Sequence, residues 1–398
     1  MTGTRDWATD FDHADPYYNA HVHEIWDDLR GRCPVAHSPA YGGTWLPVRH
    51  DDVRAIAYDT DHFSSEGVVV STTKAEGTAP LGGAPPITAD PPAHHDARRI
   101  LLPAFAPKVI AALEPEVRAL CRRLLDAVGD ADVVDGAVDY AQHIPPHVIA
   151  GMLGFPHADA EMFRGFVHDV LEGIDRTPED RQAAFLRLDG YLQAQIDDHV
   201  ARPRADLTSQ LLATEVDGAP VSREQVRGTI LLLLIAGIDT TWSGIGSALW
   251  HLAGHPDDLA RLVAEPALID STIEEMLRAY APVTMARIVK EEVVVGGCTL
   301  KPRDWVLLPF PAANRDPAVF DRADEVLIDR AENRHAAFGL GIHRCVGSNL
   351  ARLEMKVAVQ EFVARYPEFR LDDPSAVTWS VGQVRGPRRL PIRIARRA

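Results

Sequence analysis

The stretch from Ser222 to Gly254 limits what this chain can fold into more than any other. Ser222-Arg-Glu-Gln225 reads as a capping box, apolar residues then dominate through LLLLIAGIDTTWSGIGSALWHLAG, and His255-Pro256 closes the run. A helix over 222–254 holds about 33 residues and extends roughly 50 Å at 1.5 Å per residue. A rod that long and that apolar must cross the middle of the molecule, where neighbours on all sides hide it from water. Its longest unbroken apolar run, Ile230 to Ala236, falls far short of the roughly 20 residues a membrane span needs. The stretch therefore predicts a buried core helix, with no membrane.

Around it the pattern is helical over 93–102, 107–128, 140–153, 159–173, 179–201, 206–214 and 268–280, with Asp90-Pro91 read as an N-cap and first-turn proline. TWLPVRHDDVRAIAYD reads as a strand then a helix, and 283–310 and 376–395 alternate as strands do. Residues 67–89, rich in Gly, Pro and Thr, read as a long loop with the character of a lid or binding loop. The expected fold class is mainly α with small β-sheets at one side, as a single domain over 1–398. Lys plus Arg number 41 against 57 Asp plus Glu, and a net charge of −16 argues against nucleic acid or an anionic membrane as partner. The acidic start, MTGTRDWATDFDHADPYY, is unlike a signal peptide, which points to the cytoplasm. Four cysteines, Cys33, Cys121, Cys298 and Cys345, lie far apart without a CxxC, which excludes a disulfide scaffold, a zinc ribbon and a cysteine-held iron–sulfur cluster.

The sharpest chemistry lies in Phe338-Gly-Leu-Gly-Ile-His-Arg-Cys345-Val-Gly347, just ahead of an amphipathic helix. Glycines at 339, 341 and 347 let the backbone turn tightly and approach something flat, and a cysteine near a helix N-terminus is biased toward thiolate. This segment resembles the haem-binding loop of the cytochrome P-450 family, F-G-x-G-x-H-x-C-x-G, with every fixed position matched by Phe338, Gly339, Gly341, His343, Cys345 and Gly347. The resemblance implies a cytochrome P-450 fold with the long central helix over a haem b (iron protoporphyrin IX). It makes Cys345 the axial ligand, whose thiolate favours O–O cleavage.

The long helix carries Ala236-Gly237-Ile-Asp239-Thr240-Thr241, and a polar cluster inside an apolar helix is costly unless hydrogen-bonded and useful. The family's oxygen-binding helix has the same acid–alcohol pair beside a small residue. By that resemblance Asp239 and Thr240 relay protons to dioxygen during its reduction, and Gly237 leaves room for it. Glu275 and Arg278, three apart, resemble the family's structural E-x-x-R pair, with Arg330 as third member and Arg322 the competing choice. His94 and Arg98, four apart on one helix face, resemble the family's D-P-P-x-H-x-x-x-R, whose His and Arg hold a haem propionate. Arg287 and His343 match two further propionate contacts.

By analogy to the family, the substrate walls are the loop 68–87 with Val69, the helix residues Leu233, Leu234 and Ile238, the turn Val283-Thr284-Met285, and the turn Trp379-Ser380-Val381. Their apolar composition favours a small or medium hydrophobic substrate. No flavin or nicotinamide fingerprint occurs, so the resemblance implies a monooxygenase that uses O2 and takes electrons from a separate ferredoxin and ferredoxin reductase. A peroxide-driven peroxygenase and a non-catalytic haem-based sensor are the alternatives; the intact Asp239-Thr240 pair argues against the first. Arg334, His335, Arg344, Arg352 and Lys356, with Glu354 the one acid in 334–356, form a candidate basic docking patch for an acidic ferredoxin.

Overall fold

Ser222 opens the long helix as its sequence demands: its Oγ accepts from the backbone N–H of Gln225 at 3.1 Å, and helix α3 runs from Arg223 to Gly254, 32 residues. In this computed structural model, which describes residues 5–70, 84–129, 131–167, 169 and 177–395, contacts group the chain into two units. One comprises 1–95, 274–345 and 381–385, the other 96–273, 346–380 and 386–398.

The second unit is the helical one. Helix α1 (Glu114–Val128), helix α2 (Ile144–Leu153), α3 and helix α4 (Ser348–Arg365) form its centre, α3 packing on α2 and α4 while α1 packs on α4. Gly244 lets α3 and α4 approach, since a Cβ there would lie 3.0 Å from the sulfur of Met355. By length and composition alone α3 could cross a membrane, but 72% of its most apolar window is buried inside the protein. Its hydrophobicity is thus taken up by the core. A three-stranded sheet (369–371, 391–394, 133–135) and a short hairpin (378–379 with 387–389) edge this unit.

The first unit holds a five-stranded sheet. Strands β1 (Val35–Ser38), β2 (Thr44–Pro47), β3 (Phe63–Ser64), β4 (Thr284–Val289) and β5 (Trp305–Pro309) order as β1-β2-β5-β4-β3, antiparallel except for β5 with β2. Alternate side chains of β4 and β5 feed opposite faces: Ala286, Ile288, Trp305 and Leu307 enter one cluster, Val289, Val306 and Leu308 the other.

Most expected elements form, with differences of identifiable cause. The helix expected over 107–128 is two, Pro107–Ala111 and Glu114–Val128, because Pro115 lacks the N–H to continue the first and sits in the opening turn of the second. The start expected at 140 is instead irregular helix over 136–143, and regular α-helix begins at Ile144 with two prolines in its first turn. Asp90 is not a side-chain cap: its carboxylate accepts from Ser64 Oγ at 2.6 Å and Ser65 N–H at 2.8 Å, and the helix starts at Ala93. The loop expected over 67–89 falls largely on 71–83, outside the described residues.

Candidate active site

The loop 338–347 is shaped by two glycines. Gly339 and Gly341 have φ of 72° and 68°, and a Cβ on Gly341 would lie 2.3 Å from the carbonyl oxygen of Ala57, so both conformation and space require glycine there. Gly347 differs from expectation: at φ −79° any residue fits, and it stands as the N-cap of α4. The backbone N–H of Cys345 donates to the Phe338 carbonyl at 2.8 Å, and that of Gly339 to Ala336 at 2.8 Å, closing the loop on itself. Of the four cysteines only Cys345 is exposed. Cys121 is buried, which pushes its thiol up to about 12.

The same unit gathers His94, His343 and Arg287. The two imidazoles lie 4.4 Å apart between centroids, and His343 Nε2 is 2.8 Å from Ser65 Oγ, itself on the segment that Asp90 holds. Arg287 is 5% exposed and its Nη1 donates to the Ala286 carbonyl at 2.8 Å. Burial pulls its pKa down to about 10 while the charge of Asp90 opposes that fall, so the guanidinium stays cationic at neutral pH. Among the described residues no carboxylate forms an ion pair with Arg287, and a buried cation in that state is suited to an anionic ligand. An exposed thiol on a glycine-shaped loop, with buried basic groups in the same unit, fits a haem with its propionates. Arg98 lies one helical turn after His94, on the helix Ala93–Leu101.

Glu275 and Arg278 are fully buried, and their network is wider than the sequence indicated. Arg278 donates to Glu275 from Nε at 2.9 Å and Nη2 at 2.8 Å, and to the carbonyls of Asn314, Ala323 and Glu325. Arg330 Nε reaches Glu275 at 3.0 Å, whereas Arg322 pairs with Glu325 at the surface, so Arg330 is the third member. Asn333 at 3.0 Å and the N–H of Leu327 at 2.8 Å complete the carboxylate's partners; neither was legible from spacing.

On α3 the acid and the alcohol part ways. Thr240 Oγ1 donates to the Ala236 carbonyl at 2.8 Å. Asp239, 1% exposed, accepts from Arg388 Nη2 at 2.6 Å; Arg388 also donates to Ser243 Oγ at 3.0 Å and lies 4.4 Å from the centroid of Trp242. Nothing in the sequence marked Arg388, because it enters from 149 residues away. Leu233, Ala236, Gly237 and Thr240 share a helix face that is open to differing degrees, and a Cβ on Gly237 would meet only Ile149 Cδ1, at 4.0 Å.

The wall residues divide. Leu234 and Ile238, expected as substrate contacts, are fully buried on another face of α3 and belong to the core of their unit. Trp379 packs edge-on against Trp250 at 5.2 Å, ten residues and roughly 15 Å along the helix from Thr240, so its ring serves packing there. The other walls are drawn together by an unanticipated side chain: Gln383 Nε2 donates to the carbonyls of Val68 (3.0 Å) and Thr284 (2.9 Å), and its Oε1 accepts from Val70 N–H (3.0 Å). Segment 68–70 with Val69, turn 283–285 and segment 381–385 with Val381 thereby form one wall, on which Val283 also bridges Val384.

The sequence profile described as Cytochrome P450 matches residues 155–377. The chain is 33% identical over 392 residues to "Cytochrome P450 monooxygenase PikC" of Streptomyces venezuelae, covering 96% of this chain and 91% of that protein. It is 34% identical to the "Nocardicin C N-oxygenase" of Nocardia uniformis, over 93% and 95% of the two chains. The structure of cytochrome P450 CYP109Q5 from Chondromyces apiculatus superposes with a TM-score of 0.89 at 31% identity, over 98% and 99% of the chains. With the glycine-shaped cysteine loop and the buried Glu275-Arg278 network, these define a haem-dependent oxidoreductase fold. The chain belongs to the cytochrome P450 family and is an enzyme of the P450 monooxygenase kind.

Proposed function

We propose that the protein is a cytoplasmic haem b monooxygenase that inserts one atom of O2 into a small or medium hydrophobic substrate, with electrons from a separate ferredoxin and its reductase. The proposal takes the whole of 1–398 as one haem domain. The observation that carries it is the exposed Cys345 on its glycine-shaped loop, in the unit that also buries the Arg287 cation. In this reading Cys345 would ligate the haem iron, and His94, Arg98, Arg287 and His343 would hold the propionates. When bound, the haem supplies the redox chemistry that activates dioxygen, and its thiolate ligand favours O–O cleavage. Phe338, Gly339 and Gly347 frame the ligand, and Glu275-Arg278-Arg330 brace the segment that leads into the loop. Gly237 leaves space beside Thr240, which holds a proton at Oγ1 for the oxygen site, and Asp239 passes protons toward it. Leu233, Val69, Val283, Thr284, Met285 and Val381 supply apolar surface for the substrate. The test is oxygen uptake matched by product when ferredoxin and its reductase are added, with substrates found by displacement of the haem absorption band.

Thr240→Ala is expected to keep haem and substrate binding but to lower product per electron pair by about tenfold, the lost electrons appearing as hydrogen peroxide. Asp239→Asn is expected to slow turnover instead. Wild-type rate and coupling in both variants would remove the relay.

The basic docking patch for ferredoxin is narrower than the sequence count. Lys356 pairs with Asp270 at 2.7 Å and His335 Nε2 lies 3.1 Å from Glu274, so each faces an acid locally. Glu354, the one acid in the stretch, is 2% exposed, and burial raises its pKa well above the carboxylate range, so it presents no surface charge. In this reading Arg334, Arg344 and Arg352 supply the steering charges. Ferredoxin-supported reduction is expected to slow as salt rises in the wild type and to lose much of that dependence in Arg344→Ala and Arg352→Ala. A rate indifferent to salt in all three would place the donor elsewhere.

A further inference from the structure

Asp239 is buried on α3 with its carboxylate turned to Arg388, while Thr240, the next residue, sends its hydroxyl back to its own helix. The strand Pro387–Arg389 comes close enough because residue 386 is glycine: a Cβ there would lie 2.3 Å from the Cβ of Ser243. Arg388 is then fixed by several contacts. Nη2 donates to Asp239 Oδ1 (2.6 Å), Nη1 donates to Ser243 Oγ (3.0 Å), and the guanidinium carbon lies 4.4 Å from the centroid of Trp242. Ser243 lies one turn after Asp239 and Trp242 three residues after it, so the arginine is held from several points of one helix face. Its side chain is 14% exposed against 1% for Asp239. The pair therefore runs from the protein surface to the interior.

We propose that Arg388 is the positioning residue of the acid–alcohol pair: it holds the Asp239 carboxylate turned toward the C-terminal strand, and so sets that strand's side of α3 as the side from which protons enter. This rests on the relay reading of Asp239 and Thr240 and extends it to a residue outside the motif. A buried carboxylate is costly without a partner, and a bidentate-capable guanidinium fixes its direction better than an ammonium or amide could. Arg388 keeps its own protons; the proton that reaches the buried acid comes from solvent beside the partly exposed guanidinium and passes inward from the Asp239 carboxylate. Arg388 touches neither substrate nor haem in this scheme and acts only through Asp239.

The test uses the haem-loaded enzyme with its electron donors and compares Arg388→Gln, Arg388→Lys, Asp239→Asn and the double variant Arg388→Gln/Asp239→Asn. Haem content and the reduced carbon monoxide spectrum are expected to match wild type in all four. Arg388→Gln is expected to lower product turnover about tenfold and to enlarge the solvent deuterium isotope effect, because proton delivery becomes more limiting. Arg388→Lys keeps a cation and is expected to recover most of the rate. In the Asp239→Asn background, Arg388→Gln is expected to change turnover by less than about twofold, as two residues acting in series must. If Arg388→Gln does not hold haem, Ser243→Ala tests the same arm by removing one of its anchors, with the same direction of effect expected. Wild-type turnover and isotope effect in Arg388→Gln would overturn the proposal, as would a full loss in the double variant beyond that of Asp239→Asn. An Asp239→Asn enzyme with wild-type turnover would instead overturn the relay itself.

Discussion

Cys345→Ala is expected to abolish the strongly red-shifted Soret band of the reduced carbon monoxide complex, and with it all oxygenation. The shift requires a thiolate ligand, which Cys345 would supply, and no second cysteine can substitute. Cys121 is buried on α1, in the other unit, with its thiol pushed up to about 12, while Cys33 and Cys298 lie partly buried, each with its sulfur near the Val35 carbonyl. Haem can still associate, because the basic groups His94, Arg287 and His343 are untouched by the substitution. The spectrum and the haem content therefore separate loss of the ligand from loss of the cofactor. Cys298→Ala should leave the band in place. An unchanged red-shifted band in Cys345→Ala would remove the ligand assignment.

Glu275→Ala is expected to destabilise the protein by about 3–5 kcal/mol, the range for breaking a buried ion pair from one side. A surface pair three residues apart would lose only about 0.3–0.5 kcal/mol. The difference comes from what the carboxylate leaves behind. Arg278 is fully buried and Arg330 is 7% exposed, and both lose their anionic partner together with the N–H groups of Asn333 and Leu327. Against a total stability of about 5–15 kcal/mol, that loss leaves a substantial unfolded fraction on mild warming. Urea or thermal unfolding of the haem-loaded protein measures it. A loss under about 1 kcal/mol would show that the network carries little of the fold's stability.

Much of this was written along the chain. The long helix was legible because a capping serine, an unbroken apolar stretch and a terminating His-Pro are local signals, and each acts through backbone hydrogen bonds within a few residues. The cysteine loop was legible because its glycines, cysteine and histidine fall within ten consecutive positions. Strands β4 and β5 both fall within 283–310, the segment read as strands.

What the sequence could not determine were the contacts that close over long separations. Arg388 meets Asp239, Gln383 joins Val68 to Thr284, and Asn333 with Leu327 completes the shell of Glu275. Each is a polar residue of ordinary type in an unremarked place, and only tertiary folding brings its partner within 3 Å. The register of residues on α3 was decided the same way. Local pattern says that Leu233, Leu234 and Ile238 are all apolar, but which of them faces the open side depends on what packs against the helix. Burial then assigned Leu234 and Ile238 to the core. Local sequence specifies the backbone path because its hydrogen bonds are near neighbours; the assignment of charges and pocket surface belongs to the tertiary structure, because desolvation is decided by whatever arrives from elsewhere in the chain.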